Sequence, residues 1–297
     1  MKKSATSAKT APVAALKKDK NRGPHNGSVL AKLAAAPHVV WSVLFIIAPL
    51  MFVVYFAFTN PRGEGTLYNI QSLTAYGKTF LLSVMFSLIA TVVCLIIGYP
   101  LAYFLSRLSP RRQKVMVLLL MLPMWISLLI RTYSLMALLD NGGIISSFLV
   151  KLGFEKLTFI GTGGAVILGM VYDYLPYMVL PIYTSISKLD KRYIEAAGDL
   201  GCNGWKTLTK VVLPLSVPGI VSGITMVFVP SISTFYISQK LGGGSFDLIG
   251  DTIERQFQNK LTYHTGAAIS LVMMILILIS LAIMNKFSDD DGGEIIV

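Results

Sequence analysis

The sequence predicts an all-α membrane protein of six transmembrane helices. Three observations lead there: a large apolar excess, its division into six runs of spanning length, and the scarcity of charge inside those runs. Of the 297 residues, 54% are hydrophobic and 14% charged, against about 25% charged in an ordinary soluble domain. Mean hydropathy is +0.66, too high for one core under a solvated surface. The remaining solvent is lipid, whose core of about 30 Å requires roughly 20 apolar residues per helix.

The six runs lie at 37–59, 79–106, 115–138, 165–187, 211–238 and 265–285. Residues 1–36 precede them with eight basic residues and one acid, Asp19, among Ala, Ser, Thr and Pro. Such a stretch cannot bury a core and is expected to be disordered. The first run is too long for a secretory signal and lacks a small-residue cleavage site, so it reads as a retained helix. Prolines recur inside the runs (Pro49, Pro100, Pro123, Pro176, Pro181, Pro214, Pro218, Pro230). In a bundle, neighbouring groups satisfy the carbonyls that proline frees, so kinked spans are expected. Gly219-xxx-Gly223 in the fifth run permits close helix contact.

Loop charge sets the orientation. With the N-terminus inside, the inner segments carry 18 Lys and Arg and the outer loops carry 7. Arg107, Arg111, Arg112 and Lys114 crowd one inner turn without an acid. The positive-inside rule then puts both termini in the cytoplasm. The resulting organisation is a basic tail over 1–36, a six-helix membrane domain over 37–287 and an acidic tail over 288–297. In the outer loops, 144–152 and 247–258 have helical spacing and are flanked by glycines. Leu248, Ile249, Ile253 and Phe257 share one side of the second.

Several function classes are excluded. The net charge of +11 sits in the tail and loops, with no aromatic-interleaved basic face for nucleic acid. His25, His38 and His264 are scattered, and Cys94 and Cys202 lack metal-ligand or disulfide spacing, so no metal site is expected. Gly201-Cys202-Asn203-Gly204-Trp205-Lys206-Thr207 imitates a phosphate loop, but Trp205 stands where glycine must precede the lysine. A membrane-embedded enzyme would need converging ionisable residues, and the spans offer only Arg131 and Asp173. A scaffold or sensor would have no need of the inner loop at 188–214.

That loop is the most informative segment. Residues 190–200 read as a short helix carrying Glu195, Ala196 and Ala197, with Gly201 placed as a left-handed stop. A second short helix near 204–210 runs into Leu213-Pro214. Two alanines leave room for another protein's surface, and a stiff surface elbow can pass a push into the bundle. On physical grounds an ordinary amphipathic loop remains an equal alternative.

Glu195-Ala196-Ala197, Gly201, nine intervening residues and Val211-x-Leu213-Pro214 closely resemble the EAA motif of binding-protein-dependent ABC importer permeases. Val211 stands where that family has isoleucine. The resemblance implies the type-I ABC importer permease (MetI-like) fold. It also implies a coupling helix through which Glu195, Ala196, Ala197, Gly201, Leu213 and Pro214 engage an ATPase. The implied partners are a second homologous permease, an ATPase dimer that binds ATP and Mg, and an extracytoplasmic substrate-binding protein. The chain itself would hold no cofactor and catalyse no reaction.

Further matches run from about residue 38 to 285. Gly98-Tyr99-Pro100-Leu101-Ala102-Tyr103, Leu129-Ile130-Arg131-Thr132-Tyr133, Leu175-Pro176-Tyr177 through Tyr183, Lys188-Leu189-Asp190 and Phe235-Tyr236-Ile237-Ser238 resemble the spermidine/putrescine subgroup. The implied cargo is a polyamine. Permeases for iron, sulfate, thiamine and phosphonate share much of the scaffold and supply the alternative cargoes. The basic tail is longer than the subgroup's N-terminus.

Asp173 and Arg131 lie at matching depths, roughly 12 and 10 Å below the outer ends of their spans at helical rise. A mid-membrane charge costs on the order of 2.5–3.5 kcal/mol and so faces a partner or a cavity. Three readings follow. The two residues pair with each other; Arg131 snorkels outward; or Asp173 lies on the cargo path. In the last case Tyr172, Tyr174 and Tyr177, with Trp125 and Tyr133, could offer aromatic faces to a cargo ammonium.

Overall fold

Two apolar runs break beside a proline, at Pro123 and at Pro218, whereas Pro100, Pro176 and Pro181 lie inside continuous helices. The computed structural model describes residues 29–151, 158–259 and 261–290. Of the tail expected to be disordered over 1–36, residues 1–28 lie outside the described residues, as does the end of the acidic tail, while residues 29–36 are helical.

Val29–Met51 forms a unit by itself, comprising α1 (Val29–Ser42), a π-helical turn (Val43–Ile47) and the start of α2 (Ala48–Ala57). The helix begins at Val29, ahead of the boundary expected at residue 37, and contains Pro37. His38 stacks on Trp41 at 6.5 Å between centroids, and Trp41 meets Phe45 at 5.8 Å. Trp41, Phe45 and Met51 remain exposed, as suits a helix solvated by lipid.

The second unit runs from Phe52 to the C-terminus. It opens with the end of α2, whose freed carbonyls meet a side-chain cap. The buried Asn69 of α3 (Tyr68–Gln71) donates to the Ala57 and Thr59 carbonyls at 3.2 and 2.9 Å. A 3-10 turn (Ser72–Tyr76) leads into α4 (Gly77–Arg107). Next come α5 (Pro110–Met121), a 3-10 turn (Leu122–Trp125), α6 (Leu128–Leu139), α7 (Ile144–Lys151) and α8 (Gly163–Ser187). The inner loop supplies α9 (Lys191–Asp199), α10 (Gly204–Thr207), a π segment (Leu208–Val212) and α11 (Leu213–Leu215). The chain ends with α12 (Val217–Ile232), α13 (Tyr236–Leu241), α14 (Ile249–Gln258) and α15 (Tyr263–Asp290).

Among the described residues, four helical stretches are long and apolar enough to cross a membrane: Ala36–Ala57, Tyr68–Arg107, Gly163–Ser187 and Tyr263–Lys286. Two bent pairs raise the number to as many as six. Both bends fall beside prolines, where kinks are expected, and are sharp enough to divide the third and fifth spans into separate helices. The third breaks between Pro110–Trp125 and Leu128–Phe148 with a bend of 94°. Pro123 has no N–H to donate, the helix tightens to a 3-10 turn, and Ile126 and Ser127 turn extended. The fifth bends by 67° at Ser216 and stops at Ile232, so Tyr236–Ser238 belongs to α13. Pro218 cannot donate back across this bend. The buried Ser216 accommodates it by donating its hydroxyl to the Leu213 carbonyl at 3.0 Å, and its Oγ lies 3.1 Å from the Tyr99 hydroxyl.

The core is α4, α8 and α12 packed against one another. Ala90, Cys94, Val166, Met170, Met178, Ile182 and Val227 fill it and are essentially inaccessible. Gly219 and Gly223 set the α12–α8 distance. A Cβ on Gly219 would lie 2.5 Å from Ser185 Cβ and 2.9 Å from the Pro181 carbonyl; one on Gly223 would meet Met178 Sδ at 2.9 Å. The Gly-xxx-Gly pair is thus an internal helix contact. Gly219→Val is expected to cost about 1–3 kcal/mol, the usual range for overpacking. Thermal unfolding of the detergent-solubilised chain would show it as a lower midpoint.

Both glycine-flanked outer segments form helices. Ile144 and Phe148 of α7 stay exposed, whereas α14 buries Ile249 and packs on α15. The Ile249 N–H donates to Ser83 Oγ at 2.7 Å, and Gln256 Nε2 donates to Tyr76 Oη at 3.2 Å. These bonds fix α14 at the N-terminal end of α4, opposite the end at Arg107.

Candidate functional site

The inner elbow is built from local capping bonds. Asp190 caps α9 by accepting from the Arg192 N–H at 3.0 Å, satisfying a donor that the helix start leaves free. At the other end, Gly201 adopts φ +74°. The Gly201 N–H donates to the Gly198 carbonyl and the Cys202 N–H to the Ala197 carbonyl, both at 2.9 Å. This bond pair is a Schellman stop. Two residues on, Asn203 Oδ1 accepts from the Lys206 N–H at 2.9 Å and starts α10. Stop and start are thus fused into one rigid turn.

The elbow displays part of the expected coupling set. Glu195 and Ala196 are exposed, together with Tyr193, Leu200 and Trp205. Ala197 is 5% exposed and faces its own chain. That corrects the reading in which both alanines make room for a partner, because one helical step of 100° turns Ala197 inward. Leu213 and Pro214 are exposed, and the neighbouring Val212, at 1% exposure, anchors the segment. Glu195 also lines a cavity of about 590 Å³ between α9 and the α4–α5 turn, with Arg107, Gln113 and Lys191. Gln113 fastens that turn by donating to the Ser106 and Leu108 carbonyls at 3.0 and 2.9 Å. Sequence reasoning missed Gln113 and Val212, which carry no motif. It also missed Ser216, whose place between Pro214 and Pro218 was the available signal.

The candidate cargo residues separate into different environments. Arg131 Nη1 lies 3.2 Å from Asp173 Oδ1, and both side chains are buried. The same Nη1 donates to the Asp173 carbonyl at 3.3 Å, and Thr132 Oγ1 donates to Asp173 Oδ2 at 3.4 Å. The pair therefore joins α6 to α8 and does not face an open path, which corrects its placement there. Snorkelling of Arg131 is excluded by the same burial. Tyr174 is also buried and donates to the Pro230 carbonyl at 3.4 Å. Trp125 and Tyr172 are exposed.

Tyr177 lines an open, mainly apolar groove of about 620 Å³ between α8 and α12, with Thr184, Lys188, Ser222, Met226 and Met124. Tyr133 meets Tyr236 edge-on at 5.9 Å, and the Lys240 ammonium stands 5.3 Å from the Tyr133 ring. This aromatic pair, of which Tyr133 is exposed and Tyr236 half-buried, already holds a cation of the chain itself.

Comparison with known proteins agrees with this architecture. The family described as "Binding-protein-dependent transport system inner membrane component" matches residues 81–290. The chain is 38% identical over 248 residues to the spermidine/putrescine transport system permease protein PotB of Escherichia coli (strain K12), covering 80% of this chain and 90% of that one. It is 34% identical over 255 residues to PotB of Haemophilus influenzae, covering 82% and 89%. Among solved structures, a bacterial ABC transporter involved in the import of the acidic polysaccharide alginate superposes with a TM-score of 0.72. There the identity is 18%, and 88% of this chain and 95% of that one are covered.

Proposed function

This chain belongs to the family of binding-protein-dependent transport system inner membrane components, and from that membership we propose that it is the membrane permease subunit of an ATP-binding-cassette importer for polyamines. The observation that carries the cargo is the identity, spread over most of the chain, with permeases named for spermidine and putrescine. As a transporter subunit it has no catalytic role of its own. ATP and Mg bind a separate ATPase dimer, a second homologous permease completes the pathway, and an extracytoplasmic binding protein delivers cargo. Both termini face the cytoplasm, and α13 and α14 face outward.

The geometry supports a mechanical route. The ATPase engages the exposed face of α9, where Glu195 and Ala196 are flanked by Tyr193, Leu200 and Trp205. The capped turn at Gly201–Asn203 does not absorb the displacement, so it passes through α10 and the π segment to the bend at Ser216. Beyond the bend, α12 touches α8 through Gly219 and Gly223 with no side-chain slack. Movement of α12 and α8 changes the groove that contains Tyr177. That groove is one wall of the pathway, and the second permease supplies the other.

ATP-driven uptake of radiolabelled putrescine into proteoliposomes holding the whole complex and its binding protein tests the assignment. Uptake is expected to be blocked by excess spermidine and unaffected by sulfate, thiamine or ferric citrate. ATP-driven uptake of one of those solutes, with none of putrescine, would replace the cargo while leaving the permease role in place.

A further inference from the structure

A second feature lies at the opposite end of the bundle from the elbow. Between α13 and α14 a pocket of about 340 Å³ is lined by Asp247, Asp251, Glu254, Arg255 and Gln239, among others. Its charged lining carries three carboxylates against one guanidinium. Arg255 is already engaged by Asp247, through bonds of 2.8 and 3.2 Å. Asp251 and Glu254 are left without a cationic partner among the described residues.

Asp251 is the informative member. It is 5% exposed. Its Oδ2 accepts from the Leu248 N–H at 2.9 Å, while Oδ1, also buried, has no hydrogen-bond partner among the described residues, the nearby Ser238 hydroxyl donating instead to the Phe235 carbonyl at 2.8 Å. A buried carboxylate oxygen left unpaired is costly, and a donor arriving in the pocket removes that cost. Burial pushes this carboxyl up to about 6, against the Ser238 hydroxyl and the Leu248 N–H, which lower it. At neutral pH it is therefore still largely ionised, and a cation favours that form further. Glu254 is held by donation from Gln239 Nε2 and from Gln258 Nε2. Both donors are neutral, so the charge stays uncompensated.

A divalent metal is the obvious rival occupant. Among the described residues, no group of three His, Cys, Asp or Glu is gathered closely enough to ligate one. Carboxylates spread around a pocket of this volume suit a cation with length, whose ammonium donates at one end while its methylenes lie on Phe246.

We propose that the α13–α14 pocket is an entry site for an alkylammonium terminus of the cargo, bound by Asp251 and Glu254 before it reaches the groove at Tyr177. The proposal rests on the polyamine reading. Its place on the outer face, away from the elbow, is where a binding protein would release a cation.

The test measures putrescine uptake kinetics in proteoliposomes holding the whole complex. D251N and E254Q are each expected to raise KM about tenfold, the order expected for one hydrogen bond to a charge. R255Q, which releases Asp247 into the pocket, is expected to lower KM. Should D251N fail to insert, E254Q decides alone, since its side chain is only part-buried. Wild-type import with KM unchanged within about twofold in E254Q overturns the entry site and leaves the polyamine reading standing. Competition by millimolar Mg in place of putrescine overturns it too, as a metal site. Absence of putrescine import by the wild-type complex removes the polyamine reading, and the entry site with it.

Discussion

Gly201→Val is expected to reduce ATP-driven import at least tenfold while the chain still inserts and assembles. Gly201 sits at φ +74°, and a Cβ there would meet nothing within 4 Å. The penalty is therefore conformational: a left-handed residue with a Cβ costs about 1–2 kcal/mol, and a β-branched one is a genuine outlier. The least costly relief is to open the turn, which gives up the two Schellman bonds and separates α9 from α10. That loss is local to an exposed loop, so the membrane bundle survives it. The motor then moves a helix no longer stiffly joined to α12. Gly198→Ala is the matched control. It too has open space around it, but its backbone is helical, where alanine is favoured, so import should stay near wild type. Uptake normalised to inserted chain, with co-purification of the ATPase as a second readout, checks both. Normal import by Gly201→Val would mean that the elbow's stiffness is not what transmits force.

This elbow was legible because its signals are local. Asp190 as a cap, Gly201 as a stop and Asn203 as the next cap each depend on only a few neighbouring residues. The direction faced by Ala197 was not legible, because it depends on where the segment Leu208–Val212 returns. The spans show the same division. Hydropathy reports that 115–138 is apolar enough to cross lipid but does not report continuity. Pro123 hinted at a kink; the 94° bend follows from extended backbone at Ile126 and Ser127, for which the apolar run holds no sign. The ending of α12 at Ile232 did leave a trace, since Ser233 and Thr234 follow it directly within the apolar run. Asp251 was invisible as a site because its burial comes from packing α14 on α15 and tying Ile249 to Ser83, contacts remote in sequence.

The Arg131–Asp173 pair joins both themes, and the larger effect on stability is expected here. Sequence depth alone left pairing and cargo contact open; the 3.2 Å separation and the burial of both side chains place the pair between α6 and α8. Arg131→Ala strands the Asp173 carboxylate where water does not reach. Breaking a buried pair in this way costs about 3–5 kcal/mol, enough to abolish accumulation of a marginally stable chain. Asp173→Asn strands a guanidinium whose Nε–H already lacks an acceptor among the described residues, so it should also destabilise. Removing both charges should not, because the cost lies in the unpaired ion more than in the loss of attraction. Arg131→Met with Asp173→Asn is therefore expected to recover most of the thermal stability and uptake that either single change loses. Thermal unfolding of the solubilised complex and putrescine uptake, measured on the same preparations, read the two quantities separately. A contrary pattern would be equally clear: Asp173→Asn folding normally yet failing to import, with Arg131→Ala tolerated. The carboxylate would then act on cargo, and the pairing seen between α6 and α8 would be a resting arrangement that opens during transport.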